Sequence, residues 1–265
     1  MLLNIIFLLL AALGTTVIYL LFPPISFWWL FPILLGTFVG VVVLYLLFLL
    51  IASFFLPRKK PIRKPNEFCR FMIWITMDWL MKLFRIRVTL KGRELLPTEP
   101  CVIVSNHRSD FDPMTMLAVL RERKLVYISK ESNFKIPIVG CFIYHAGFLA
   151  IDRNNARRAL RTLSGAAEMM TRIGVDVGIY PEGTRSRTGK MLRFKSGAFV
   201  LAQSANAPVV VLATKGTEQI SKRAPFRRTH VEMEVLEVID AARVQSMSTD
   251  DLCTYTHDLI ERHVG

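Results

Sequence analysis

The 265-residue sequence predicts an α/β domain with a mainly parallel sheet flanked by helices, preceded by an N-terminal hairpin of two membrane helices. Three observations point there. No Asp, Glu, Lys or Arg occurs from Met1 to Leu56, so all 34 basic and 21 acidic residues lie in Pro57–Gly265. Farther along, short apolar runs alternate with helical patterns, as they do when parallel strands are joined by helical crossovers. Several of those runs also end abruptly in charged loops, where open α/β sheets place their sites.

The apolar segment, residues 1–56, divides at "LFPPISFWW" (Leu21–Trp29), where two prolines and a serine interrupt it. Leu2–Phe22 and Phe27–Leu56 each reach the roughly 20 apolar residues that cross a hydrocarbon core. A cleaved signal peptide fits poorly, because no basic stretch precedes the first run and a second apolar run follows it. Next comes "PRKKPIRKP" (Pro57–Pro65), rich in Arg and Lys. Beside a span, such a cluster marks the cytoplasmic side and attracts anionic headgroups, although a solvated linker is the plainer reading. Two spans return the chain to its starting side, so the charged domain is expected at the cytoplasmic face of a membrane. Residues 57–85 read as a basic linker and an interfacial helix. The helix, "EFCRFMIWITMDWLMKLF" (Glu67–Phe84), is rich enough in Trp, Phe and Met to suit either the bilayer interface or packing on the domain.

Residues 86–265 are left for the globular domain. Strands are expected at Ile86–Leu90, Cys101–Ser105, Leu125–Ser129, Val175–Tyr180 and Pro208–Thr214, with a further alternating one at His230–Val238. Another strand is expected to run into "IDR" near Asp152. Helices are expected at Pro113–Arg121, Asn154–Ile173 and Gly197–Asn206, and "STDD" (Ser248–Asp251) opens a last one with a capping-box-like start. The net charge of +13 suits nucleic acid in principle, but no nucleic-acid-binding signature accompanies it and membrane lipids account for a basic surface equally well. Cys69, Cys101, Cys141 and Cys253 are scattered without a C-x-x-C, which fits reduced thiols rather than a disulfide framework or zinc ribbon.

Three stretches carry candidate chemistry. In "SNHRSDFDP" (Ser105–Pro113), Asp112 reads as a helix N-cap with Pro113 at the first helical position and Met114, Leu117 and Ala118 facing inward. On a continuous helix His107 and Asp112 would point about 140° apart. If the helix starts only at Asp112, the loop can fold the imidazole back onto the carboxylate, making a base and its orienting partner. A metal site of His107, Asp110 and Asp112 is the rival, weakened by the lack of a second ligand cluster. A cap with charged bystanders is the third reading. "YPEGTRSRTGK" (Tyr180–Lys190) offers Gly183 for close backbone approach, the Thr184 hydroxyl, and Arg185 and Arg187 as planar forks for phosphate; a basic surface turn is the alternative. It lacks P-loop spacing. "GFLAIDRNNARR" (Gly147–Arg158) and "SKESNFKIPIVG" (Ser129–Gly140) place Arg153 and Lys130 after strand ends. An Asp152–Arg153 pair with a solvated Arg157 and Arg158 explains the former equally well. No G-x-S-x-G elbow is present.

Taken together, "NHRSDFD", "GFLAIDR", "YPEGTRS" and "APVVVLA", in this order, resemble the four sequence blocks of the glycerolipid acyltransferase family, and within it the 1-acylglycerol-3-phosphate acyltransferases. The match runs over about Val102–Ala213 and is most specific in "YPEGTRSR…FKSGAF". Ala207–Val211 lacks a second proline often found in the last block, and Ala150 stands where a bulkier residue is common. The resemblance makes residues 86–265 an acyltransferase domain, with His107 as general base on the acceptor hydroxyl and Asp112 as its orienter. It gives Glu182, Gly183, Thr184, Arg185 and Arg153 the acceptor's phosphate, with Lys130 a weaker candidate. It puts Pro208 near the acyl-chain entrance. It implies no metal and no cofactor, a lysophospholipid acceptor, and acyl-CoA or acyl carrier protein as donor.

Overall fold

The structure, a computed structural model, describes residues 2–22, 26–56, 64–186 and 190–264. Most of the basic run, residues 57–63, lies outside the described residues, as does Arg187. In chain order the elements are α1 (Leu2–Leu21), α2 (Leu30–Phe54), α3 (Glu67–Leu83), β1 (Ile86–Lys91), β2 (Val102–Ser105), α4 (Asp112–Val119), β3 (Leu125–Lys130), α5 (Val139–His145), β4 (Leu149–Ile151) and α6 (Ala156–Ile173). They continue with β5 (Asp176–Ile179), α7 (Gly197–Ala205), β6 (Val209–Lys215), α8 (Ile220–Arg223), β7 (Thr229–Ile239), α9 (Ala241–Ser246) and α10 (Thr249–Val264).

The strands form one sheet in the order β1-β7-β6-β2-β5-β3-β4. Every neighbouring pair is parallel except β6–β7, so the sheet is mainly parallel with one reversal. This reversal puts the amino ends of β7 and β1 at the edge where β2, β5, β3 and β4 have their carboxyl ends. Strand residues alternate between two cores. Val102 and Val104 point with Val177 and Val211 toward α6, α7 and α10, whereas Ile103 points with Tyr127 and Leu212 toward α4 and the end of α3. Both faces are covered, which is why these strands read as continuous apolar runs.

Helix ends follow local chemistry. Asn66, Asn155 and Asp240 cap α3, α6 and α9 through side-chain oxygens that accept from the third residue onward, and Ser248 Oγ accepts from Asp251 N–H at the start of α10. Along α6, Leu163, Ala166, Ala167 and Met170 make the buried stripe that periodicity predicts. The helix begins at Ala156 rather than Asn154, because Asp152 Oδ1 accepts from Asn154 N–H in the preceding turn and Asn155 takes the cap, accepting from Arg158 N–H.

The two N-terminal helices are each long and apolar enough to cross a membrane. They pack on each other where Gly14 meets Thr37, whose hydroxyl lies 3.0 Å from that of Thr15. Helix α3 then joins this pair to the α/β domain. Its Trp79 ring stands edge-on to Phe7 at 5.4 Å, and Thr76 bonds Tyr45 at 2.6 Å, while Phe68 packs against Phe142 of α5. Packing thus accounts for its inner face, with Phe68, Phe71 and Leu83 still exposed.

A buried ion pair ties the crossovers together at the sheet's other edge. The Arg123 guanidinium holds Asp176, which also accepts from Cys101 N–H at 3.0 Å. Replacing Asp176 with Ala leaves the guanidinium to the carbonyls of Pro97 and Glu99, and the fold is expected to lose about 1.5–3 kcal/mol. Thermal or denaturant unfolding in detergent measures this loss.

Candidate active site

The site grows from the end of β2. Asn106 clamps the departing chain to β6: Nδ2 donates to Thr214 O at 2.9 Å and Oδ1 accepts from Thr214 N–H at 2.8 Å. The next five residues then wrap around one carboxylate. Asp112 Oδ2 accepts from the main-chain N–H groups of Arg108 (2.7 Å) and Ser109 (2.8 Å) and lies 2.8 Å from His107 Nδ1. Asp112 is 0% exposed.

This geometry corrects the expected cap. Helix α4 begins at Asp112 itself, with Phe111 in the cap position and no side-chain cap. The carboxylate is turned upstream because three loop donors claim it. The buried face of α4 is accordingly Asp112, Thr115 and Met116, and Met114, Leu117 and Ala118 are only half-buried. His107, Asp110 and Asp112 do not converge as metal ligands would, since Asp110 faces outward to pair with Arg185.

A carboxylate acceptor calls for hydrogen on Nδ1, which leaves Nε2 of His107 as a proton acceptor. The side chain is 16% exposed. Its ring rests on Tyr180, with centroids 4.4 Å apart and planes within 20°. Tyr180 in turn stacks on Tyr127 at 5.9 Å and 3°. Burial raises both phenols above their usual range, so both rings stay neutral at working pH. A Cβ at position 178 would come within 2.4 Å of the Tyr127 ring, so Gly178 gives that ring its place.

The loop after β5 closes on the same histidine. Glu182 Oε1 accepts from His107 N–H at 2.6 Å, Oε2 accepts from Leu192 N–H at 3.0 Å, and Ser186 N–H donates to His107 O at 3.1 Å. Both main-chain groups of His107 are therefore held by one loop. Glu182 is 3% exposed; burial raises its carboxyl above the usual range, and the two N–H donors pull it back. Gly183 adopts φ +71°, and Lys195 Nζ lies 3.1 Å from where its Cβ would stand. Thr184 and Arg185 are exposed.

The expected phosphate group of residues is therefore split. Glu182 has both oxygens committed to the backbone and braces the loop. Gly183, Thr184 and Arg185 remain at the surface beside His107. Lys130 ends β3 and Arg153 follows β4, both exposed at the same edge of the sheet. With β5 and β3 intervening, β4 stands about 14 Å from β2 at roughly 4.8 Å per strand. Asp152 pairs with Arg158 instead of Arg153, leaving the Arg153 guanidinium without an ion-pair partner among the described residues.

Comparison with known proteins bears on this arrangement. A family model described as Acyltransferase matches residues 87–215, a span that includes His107, Asp112, Arg153 and Glu182–Arg185. The human 1-acyl-sn-glycerol-3-phosphate acyltransferase beta is 34% identical over 188 residues, 68% of this chain and 67% of that protein. The chain belongs to the acyltransferase family. A 1-acyl-sn-glycerol-3-phosphate acyltransferase of Haemophilus influenzae is 27% identical over 198 residues, 73% of this chain and 82% of that one. The crystal structure of the 1-acyl-sn-glycerophosphate (LPA) acyltransferase PlsC from Thermotoga maritima superposes with a TM-score of 0.61 at 28% identity, covering 83% and 87% of the two chains.

The sequence left several residues of this acyltransferase's site unnoticed. Asn106, Tyr127, Gly178 and Lys195 act through contacts that no local pattern announces. Asn106, Tyr180 and Lys195 did stand in quoted motifs without a role of their own, Tyr180 as an aromatic at a strand end, where core packing is the ordinary reading. Its stacked face favours positive charge on the imidazole as a proton arrives. Tyr180→Leu is expected to lower kcat about tenfold with KM nearly unchanged, and Tyr180→Phe to restore it. Equal losses in both variants would point to the hydroxyl instead.

Proposed function

We propose that this chain is a membrane-bound 1-acylglycerol-3-phosphate O-acyltransferase, moving an acyl chain from an acyl thioester to the free hydroxyl of lysophosphatidate to give phosphatidate. The observation that carries this is the His107–Asp112 pair with Nε2 free, beside the Gly183–Arg185 loop, in a chain whose relatives bear that name. The two apolar helices suit an acceptor and product that reside in a bilayer, and the basic run after them favours a domain on the cytoplasmic face. Residues 1–56 would be the membrane hairpin, 57–85 the linker and interfacial helix, and 86–265 the catalytic domain.

The chemistry follows from the geometry. An alcohol is too weak an acid to ionise first, so its proton leaves as the bond forms. Nε2 of His107 takes that proton while the hydroxyl oxygen attacks the thioester carbonyl carbon. The tetrahedral intermediate collapses, the C–S bond breaks, and the departing thiolate takes the proton back from the imidazolium. Asp112 holds the ring and offsets its transient charge. No acyl-enzyme, metal or cofactor enters the scheme. The donor is acyl-CoA or acyl carrier protein.

Arg185, released from Asp110, would take the acceptor's phosphate together with Thr184 and the Gly183 backbone, with Lys195 beside them. Arg153 and Lys130 extend the same edge and would meet a more distant part of a substrate. Arg185→Ala is expected to raise KM for a phosphate-bearing acceptor about tenfold, in line with loss of a charge-assisted contact, and to change kcat little. Unchanged KM and kcat together would end its phosphate role. The reading as a whole is tested with purified enzyme against lysophosphatidate, glycerol-3-phosphate, other lysophospholipids and a lyso-aminolipid, each with both donors. Phosphatidate is the expected product by mass spectrometry; acylation of another acceptor in its place would move the assignment within the family.

A further inference from the structure

The turn after α8 stands out on the domain surface. Phe226 is 84% exposed, and Lys222, Arg223, Arg227 and Arg228 around it are exposed too. Arg85 and Arg87, at the end of α3 and in β1, complete the patch. Arg85 donates through Nη1 to Phe226 O at 3.0 Å, which fixes the turn against the end of α3. None of these six cations has an ion-pair partner among the described residues. A shallow cavity of about 480 Å³ opens among Arg87, Arg223, Arg228 and His230.

Its position gives the patch a direction. At its amino end α3 lies beside α5, and there Cys141 Sγ approaches Ser53 O at 3.5 Å, near the end of α2. Twelve residues along, toward its other end, Trp79 meets Phe7, which also touches Phe38. Helix α3 thus runs antiparallel to α2, and its carboxyl end points toward the turn that joins α1 and α2. That end leads into β1, whose first residue pairs with Thr229 of β7. The Phe226 turn therefore lies at the His107 edge of the sheet, on the side toward which the apolar hairpin extends.

We propose that the Lys222–Arg228 turn is a second membrane contact, with Phe226 inserted at the headgroup–acyl boundary and Arg223, Arg227 and Arg228 on anionic lipid phosphates. An exposed aromatic among cations matches the interfacial layer, where its ring meets acyl carbon and the charges meet phosphate. The turn's place on the side toward which the exposed apolar helices α1 and α2 extend favours lipid over an acidic protein, which would have to enter between this rim and the bilayer. The contact holds the His107 edge against the leaflet that supplies the acceptor. It rests on the membrane-bound reading above.

The test uses the full chain carrying Phe226→Cys, labelled with an environment-sensitive dye; Cys69, Cys101, Cys141 and Cys253 are buried. The labelled protein is reconstituted into phosphatidylcholine vesicles with and without phosphatidylglycerol. Flotation reports the hairpin, and dye emission with quenching by spin-labelled lipid reports the turn. The expected result is flotation in both, with bright, quenchable dye in the anionic vesicles. Adding Arg227→Ser and Arg228→Ser should weaken insertion of the turn by about fivefold per cation removed without affecting flotation. Dye that stays in water while the protein floats would overturn the proposal alone, as would dye protected only on adding an acidic carrier protein. Failure to float would take the membrane reading down with it.

Discussion

His107→Ala is expected to lower kcat for acyl transfer by about 10²–10⁴-fold, the usual worth of a general base, while the protein stays folded in detergent. Folding survives because the loop does not depend on the imidazole. Asp112 keeps its two main-chain donors, and the Glu182 bond to residue 107 uses the backbone, which alanine retains. KM for the acceptor should move little, since the contacts proposed for its phosphate lie on the neighbouring loop. Thiol release on mixing enzyme, lysophosphatidate and acyl thioester gives the rate, and thermal unfolding checks the fold. Near-normal turnover would remove His107 as the base.

Asp112→Asn is expected to cost about 10–10²-fold in kcat, the worth of one hydrogen bond to a charged group, and less than the roughly 10⁴-fold that a wrong histidine tautomer costs a serine-protease triad. Here the loop predicts how the loss arises. The N–H groups of Arg108 and Ser109 will draw the amide oxygen into the place of Oδ2, so His107 keeps its tautomer. What disappears is the negative charge that offsets the imidazolium. The amide NH₂ then occupies the place of Oδ1, a buried atom with no hydrogen-bond partner among the described residues. A donor buried there without an acceptor costs about 1–3 kcal/mol of stability. His107→Ala should therefore lose rate alone, whereas Asp112→Asn should lose rate and thermal stability together. A variant of Asp112 that unfolds normally but works poorly would show that its charge matters and its burial does not.

The parts of this molecule that were legible in the sequence are those set by local chemistry. Uninterrupted apolar runs such as Cys101–Ser105 and Pro208–Thr214 mark strands buried on both faces, and the absence of charge before Pro57 marks α1 and α2. The spacing of His107 and Asp112 announces a pair once a loop, and not a helix, is placed between them. Contacts across the sheet were not legible. Glu182 reads as one more polar residue in a basic loop, and only the fold brings it 2.6 Å from a backbone N–H 75 positions away. Asp112 followed the local rule for helix caps until three donors on its other side outweighed that rule. The reversal at β7 is likewise invisible locally, because an alternating strand reads the same in either direction.

His107 is held at its backbone by Glu182 and Ser186 and at its ring by Asp112 and Tyr180, all from the protein itself. Such a base is ready before any substrate arrives. In the proposed reaction it cannot then tell a lipid hydroxyl from water by waiting to be assembled, so a bound thioester would be open to hydrolysis whenever the acceptor is missing. Fidelity in this design comes from keeping water away from Nε2. If the enzyme sits on a bilayer as proposed, that surface can do so, and thioester wasted per phosphatidate made should rise when it is moved to dilute detergent.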